Sequence, residues 1–190
     1  GRMEHASLAL ELLIETDTQK ADELALKIES LNDLRREVEK ETTNQALNYL
    51  KEDKKETNST VVFNKSWNKG VIGIVASRLI EKHYKPTVVF CEVKEGELAA
   101  SARSVKGIDL YKVLEECKET IVQFGGHKYA AGLTIKKENY LSFKNKFETS
   151  VSKIFESKSS EPEIIIESEI DLDVITPKFY RILKQFEPFG

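Results

Sequence analysis

Apolar residues recur along this chain with two different periods, and the change of period divides it. Over residues 4–15, Ala6, Ala9, Leu10, Leu12 and Leu13 mark a short helix. Thr16-Asp17-Thr18 interrupts the pattern and supplies capping side chains for a second helix. Over 19–52, Leu24, Ile28, Leu31, Val38, Thr42 and Leu47 keep a three-to-four-residue spacing, with neither Gly nor Pro in the segment. The other faces are Glu, Lys, Arg and Asp. The spacing predicts one long helix with a thin apolar stripe, of the kind that bridges two bodies.

Beyond a polar loop at 53–60 the period shortens. Strands are expected over 60–64, 87–93 and 97–104, the last two joined as a hairpin by Glu95-Gly96. Trp67-Asn68-Lys69-Gly70 turns the chain into a helix over 71–84, which Lys85-Pro86 stops. Asp109 is the expected N-cap of a helix running to residue 118. Gly125-Gly126 reads as a bend, with a strand over 130–136 and a helix over 138–156 after it. Strand, helix, strand, strand, helix, strand, helix is the order of an α/β domain with a mixed β-sheet flanked by helices. Residues 158–162 read as a linker, 163–170 as a strand by content, and 177–186 as a helix with Pro at its first turn. The turn Pro188-Phe189-Gly190 and the opening Gly1-Arg2 both read as cuts, so the chain is expected to be a central piece of a longer protein.

Composition narrows the class. The 190 residues are 40% hydrophobic and 32% charged, as in a globular protein. No apolar run is long enough to cross a membrane, and no signal peptide opens the sequence. Cys91 and Cys117 lie far apart with no paired spacing, so neither a disulfide framework nor a zinc site follows, and Cys91 reads as a buried thiol. A cytoplasmic setting is expected. The net charge of −3 hides a division into −5 over residues 1–60, +5 over 61–150 and −3 over 151–190. The whole chain is not a general polyanion binder, but its middle is a candidate local one.

Three short segments of that basic middle carry candidate chemistry. Gly70 and Gly73 open a helix whose free amides favour anions, although no Walker loop is present. Gly73 and Ala76 equally suit close helix–sheet packing, and Trp67 reads as a core or rim residue. In Ser101-Ala102-Arg103-Ser104, strand alternation puts Ser101 and Arg103 on one face. A hydroxyl beside a forked guanidinium suits a phosphate; the alternative is a strand-end salt bridge. Phe124-Gly125-Gly126-His127-Lys128 precedes the small residues Ala130, Ala131 and Gly132, combining a close-approach backbone with two groups that meet anions. No Asp or Glu stands with His127 at ligand spacing, and no Ser–His–Asp or Cys–His pair is evident.

Gly70 through Leu79, Ser101-Ala102-Arg103-Ser104, and Phe124-Gly125-Gly126-His127 through Leu133 together resemble three signatures of the DHH-associated domain. That domain belongs to the DHH phosphoesterase superfamily, and the likeness is nearest to its RecJ-type branch of single-stranded-DNA exonucleases. Gly1-Arg2-Met3 looks like the end of the catalytic DHH domain, and Pro188-Phe189-Gly190 like the lead into an OB domain. The resemblance implies boundaries at 1–18 (end of the DHH domain), 19–58 (connecting helix), 59–157 (substrate-binding domain) and 158–190 (linker and start of an OB-type domain). It implies phosphodiester hydrolysis from the 5′ end of single-stranded DNA. Manganese or magnesium would be held by the DHH domain and none by this piece. By the same resemblance Ser101 and Arg103 hold a substrate phosphate, and Gly125, Gly126 and the candidate catalytic residue His127 face the scissile region. Arg78 and Lys128 are further backbone contacts. The partners implied are single-stranded DNA and the protein's own DHH and OB domains. Two other readings belong to the same motifs: a nanoRNA or cyclic-dinucleotide phosphodiesterase, and a tRNA-binding module like the C-terminal domain of alanyl-tRNA synthetases. One departure stands out: Asn68 occupies a position where the family commonly has His.

Overall fold

The computed structural model describes residues 2–52, 56–157, 166 and 168–187. Two helices open it, α1 (Ser7–Ile14) and α2 (Thr18–Glu52). At 1.5 Å per residue, the 35-residue α2 is about 52 Å long. Its stripe has the direction the sequence predicts. Leu24, Ile28, Leu31, Val38 and Leu47 are half-buried and Thr42 is buried, while Leu26 and Leu34 face outward. α2 packs on α1 and on α3 (Ile72–His83) of the α/β body, where Ala46 is fully buried.

That body is a five-stranded sheet in the order β1-β2-β3-β5-β4, formed by Thr60–Phe63, Thr87–Lys94, Glu97–Arg103, Ala130–Lys136 and Gln123–His127 respectively. β1 pairs with β2 in parallel, through a crossover that contains α3 (Ile72–His83), and the other pairings are antiparallel. The sheet is therefore mixed, as expected. α3 ends where the sequence indicates. Tyr84 takes a left-handed conformation with φ 45° and donates its N–H to the Ile80 carbonyl, just ahead of Pro86. Asp109 caps α4 (Leu110–Glu116) by accepting the Lys112 N–H.

Each face of the sheet has its own core. On one side Phe90, Leu98 and Ile135 meet α4 and α5 (Tyr140–Ser157), where Phe143 and Phe147 stack at 5.6 Å and Phe90 meets Phe143 edge-on at 5.3 Å. Burying each such ring contributes roughly 2–3 kcal/mol, so Phe143→Ala alone would cost about 3–5 kcal/mol. On the other side α3 covers β2 and β3 with Ile72, Val75, Ala76 and Leu79, and α2 closes over Trp67, which is 4% exposed. The Trp67 Nε1–H donates to Gln45 Oε1 at 2.8 Å. α3 does not cover β5. Along β5, Ala131, Leu133 and Ile135 are buried while Gly132 and Lys136 are exposed and Ala130 and Thr134 half-buried. The α3 side of the sheet is thus open at its β5–β4 end.

One expectation fails. Gly125 and Gly126 do not form a bend. They are paired in β4, Gly125 opposite Gly132 and Gly126 opposite Ala131, and the chain reverses at Lys128-Tyr129. The local preference of a glycine pair for a turn loses to the ladder offered by β5. The expected linker at 158–162 and the final Pro188-Phe189-Gly190 lie outside the described residues, as does most of the strand expected over 163–170. Ile166 and residues 168–170 carry no regular structure. α6 (Pro177–Lys184) comes last, capped by the Thr176 hydroxyl, which accepts the Phe179 N–H.

Candidate nucleic-acid interface

Register decides which side chains share the open face. Residues directly opposite one another in a ladder point the same way. Three rungs result: Ala99, Thr134 and Gln123; then Ser101, Gly132 and Gly125; then Arg103, Ala130 and His127. Ser101, Arg103, Gly125 and His127, singled out from sequence, therefore lie on one surface. Neighbouring strands are about 4.8 Å apart, which puts the Arg103 and His127 backbones on the order of 10 Å from each other across β5. Beyond Ser101 the middle rung is two glycines, which form a floor without side chains.

The glycines divide the work. A Cβ on Gly125 would meet nothing within 4 Å, and one on Gly132 only the Ala100 carbonyl at 3.9 Å. Gly126 faces the other way, with φ +150°. A Cβ there would collide with the Ala130 carbonyl and stand 2.5 Å from the Ala131 Cα. Gly126 is required by the fold, whereas Gly125 and Gly132 keep the surface flat. The hairpin tip carrying Lys128 is pinned to the loop before α4. The Ser104 N–H donates to the Tyr129 carbonyl at 3.0 Å and the Leu110 N–H to the Lys128 carbonyl at 3.0 Å. Lys128 Nζ lies over the Tyr129 ring at 5.2 Å, at the tip and outside the cleft lining. His127 Nδ1 accepts the Tyr129 N–H at 3.4 Å.

The floor continues into a cleft of about 750 Å³ at the start of α3. Arg2, Arg35, Arg36, Lys69, Arg78 and Arg103 line it, and Glu39 is the one carboxylate among its described lining residues. A Cβ on Gly73 would stand 3.2 Å from Arg103 Nη2 and 3.3 Å from Ser101 Oγ, so those two groups flank the first turn of the helix. The Val71 and Ile72 N–H groups both reach the Asn68 carbonyl, and those of Ile74 and Val75 reach the Val71 carbonyl. The Gly73 N–H is left without an acceptor among the described residues, as the first turn of a helix requires. A hydroxyl, a guanidinium and a free amide converge there.

Charge is unevenly balanced across the cleft. Glu39 Oε2 takes Arg35 at 2.8 Å and its Oε1 takes Arg78 at 3.3 Å; Arg78 also pairs with Glu81 at 3.1 Å and Arg36 with Asp33 at 3.4 Å. Arg2, Lys69 and Arg103 have no carboxylate partner among the described residues. Arg103 donates instead to the Ala102 carbonyl at 2.9 Å. Burial, and then the neighbouring Arg2 charge, lowers its guanidinium below the ordinary value, though arginine remains protonated at any working pH. Three cations without a carboxylate partner among the described residues thus surround a polar notch.

Sequence reading reached Ser101 and Arg103 but not Arg2, Lys69 or Gln123, and it left Gly73 between packing and anion binding. A Cβ on Gly73 would stand against the Ser101 and Arg103 side chains of β3, contacts that suit close helix–sheet packing as well as a polar notch. Gly70 is where the chain's opening segment lands, because a Cβ there would collide with the Arg2 carbonyl. Asn68 accepts with its side chain. Its Oδ1 takes the Gly70 N–H at 2.7 Å, so it shapes the turn. Among the described residues no three His, Cys, Asp or Glu side chains gather as a metal centre, and no helix is long and apolar enough to cross a membrane.

Known proteins resemble this chain in sequence and fold. The family model of the DHHA1 domain matches residues 56–153. Over its full length the chain is 33% identical to the single-stranded-DNA-specific exonuclease RecJ of Bacillus subtilis, of which it covers 24%. It is 30% identical to the enzyme of the same name from Haemophilus influenzae, of which it covers 34%. Among solved structures, RecJ of Thermus thermophilus in complex with Mg2+ matches all of this chain and 29% of its own at a TM-score of 0.83 and 25% identity. The Mn2+ complex of that protein also gives 0.83. The chain spans about a quarter to a third of the length of the curated relatives it matches.

Proposed function

The chain belongs to the DHHA1-domain family, and from that premise we propose that it is the substrate-binding wall of a 5′–3′ single-stranded-DNA exonuclease. The observation that carries the reading is the convergence of three uncompensated cations on the notch formed by Gly73, Ser101 and Arg103. A phosphate seated there accepts from the Arg103 fork, the Ser101 hydroxyl and the Gly73 N–H, while Arg2 and Lys69 complete its charge balance. The strand then runs over the Gly132–Gly125 floor, where a sugar and base can lie against backbone, toward His127 at the far strand. Lys128 meets a more distant phosphate at the hairpin tip.

Hydrolysis needs an activated water, which Mg2+ or Mn2+ held by another part of the longer protein would supply. The described residues do not form such a centre. This chain's own part is to bind, to orient the strand end and to hold His127 against the scissile region.

The test uses the full-length protein and 5′-phosphorylated against 5′-hydroxyl oligodeoxynucleotides. Removing a hydrogen bond to a charged group costs roughly 1.5–3 kcal/mol, or about 10- to 150-fold in affinity. Arg103→Ala should weaken binding of the phosphorylated strand by that factor and narrow its advantage over the hydroxyl strand. Lys144→Ala, on α5 across the sheet, should change neither. Equal losses in the two variants would remove the special role of Arg103.

A further inference from the structure

The cation-lined cleft holds a carboxylate whose position is not explained by phosphate binding. Glu39 lies on α2 with only 14% of its side chain exposed, and each of its oxygens holds one arginine of the cleft wall, Arg35 and Arg78. A carboxylate beside a phosphate site lowers affinity for the phosphate. Had the cleft been shaped for binding strength alone, a neutral side chain here would leave Arg35 unpaired and Arg78 held by Glu81 alone, with more positive charge facing the cleft.

We propose that Glu39 sets the charge of this cleft. By keeping Arg35 and Arg78 in ion pairs, it limits the free cations to Arg2, Lys69 and Arg103, so that the site takes one phosphate group and releases it. The inference rests on the phosphate-site reading above. Glu39 is a positioning residue, acting through the two arginines and not on substrate. Its alternative is a purely structural one, an ion-pair strap between α2 and α3, and the two differ in sign. A strap strengthens the site when present, whereas a charge limiter weakens binding when present and hastens release.

Arg35 and Arg78 cannot be counted as strand contacts as they stand. Arg78 has its Nε on Glu39 and its Nη1 on both oxygens of Glu81, at 3.2 and 3.1 Å. Arg35 has its Nη1 on Glu39 and its Nε on Asn32. Loss of the Glu39 charge would free one donor edge of each toward the cleft.

The experiment compares wild type, Glu39→Gln, Glu39→Asp, Glu39→Gln/Arg78→Gln and Arg103→Ala in the full-length protein. It measures the dependence of the Kd for 5′-phosphorylated oligothymidylate on salt, together with kcat and KM for its digestion. Each cation that neutralises a phosphate of a single strand adds about 0.7 to the slope of log K against log salt. Glu39→Gln should steepen the slope by about 0.7–1.4, lower KM several-fold and lower kcat. Glu39→Asp should restore wild-type values, and adding Arg78→Gln should remove about half of the extra slope. If Glu39→Gln weakens binding along with thermal stability, or leaves slope and KM unchanged while Arg103→Ala reduces the slope, the proposal is overturned and the phosphate site stands. If Arg103→Ala leaves the slope unchanged, the phosphate site itself falls and the proposal with it. Should Glu39→Gln not fold, Arg78→Gln alone decides. The proposal requires it to leave the slope unmoved, and a shallower slope would overturn it.

Discussion

Gly73→Ala separates packing from ligand binding in one substitution. An alanine inside a helix is favoured over glycine by about 1 kcal/mol, and by less in a first turn, so local propensity gives roughly 0.5 kcal/mol of stabilisation. Against this stand the contacts of the new methyl, 3.2 Å from Arg103 Nη2 and 3.3 Å from Ser101 Oγ. Both are ends of rotatable side chains, and a shift of a few tenths of an ångström relieves them. Stability should therefore hold or rise slightly, by about 1–2 °C in Tm for roughly 0.5 kcal/mol in a chain of this size. Binding should go the other way. The methyl occupies the notch between the two donors and shields the Gly73 N–H, removing at least one charged hydrogen bond, worth about 1.5–3 kcal/mol. The assay pairs a thermal melt with titration of a 5′-phosphorylated oligonucleotide. A variant that melts several degrees lower would mean that Gly73 serves packing after all. One that binds as tightly as wild type would mean that no phosphate enters the notch.

Other outcomes rest on single contacts. Gly126→Ala forces a methyl into the backbone of β5 at φ +150° and should destabilise by about 1–3 kcal/mol or more by chemical denaturation, whereas Gly125→Ala, with open space around it, should fold as wild type and weaken only oligonucleotide binding. Asn68→Ala removes the acceptor of the Gly70 N–H and should cost about 0.5–2 kcal/mol in the same measurement. Burial pushes the Cys117 thiol up from 9.0 to about 11. The folded chain then keeps a proton that the unfolded chain releases. This contribution is complete below about pH 9 and is lost as pH rises through about 11, at up to about 1.4 kcal/mol per pH unit. Denaturation midpoints that stay level from about pH 8 to about pH 11 would contradict this burial.

The range of the forces involved separates the legible features from the hidden ones. Asp109 was legible as a cap because capping is a contact within one turn, and α2 because residues 19–52 hold one stripe with neither Gly nor Pro. Ser101 and Arg103 could be put on one face because strand alternation needs no partner. Gly125 and Gly126 misled because their own preference is for turns. The ladder that holds them extended is built with Gly132 and Ala131, and nothing in the glycine pair itself announces it. Arg2 and Arg35 reach the cleft from segments far upstream of Ser101, and Arg35 sits in the half-buried stripe of α2 where a charged residue looks like an irregularity. Only the fold brings them to Gly73.

The way α2 closes over Trp67 has a practical consequence for anyone dividing the protein. The family's own boundary begins at residue 56. Ala46, with Val38, Leu47 and Leu50, packs into the cluster around Trp67 and Val71, and Gln45 holds the indole N–H. Excision at residue 56 would uncover that tryptophan and strand its N–H, as well as discard Arg2, Arg35 and Glu39 from the cleft. The stretch that the family shares is smaller than the core that its residues help to fill.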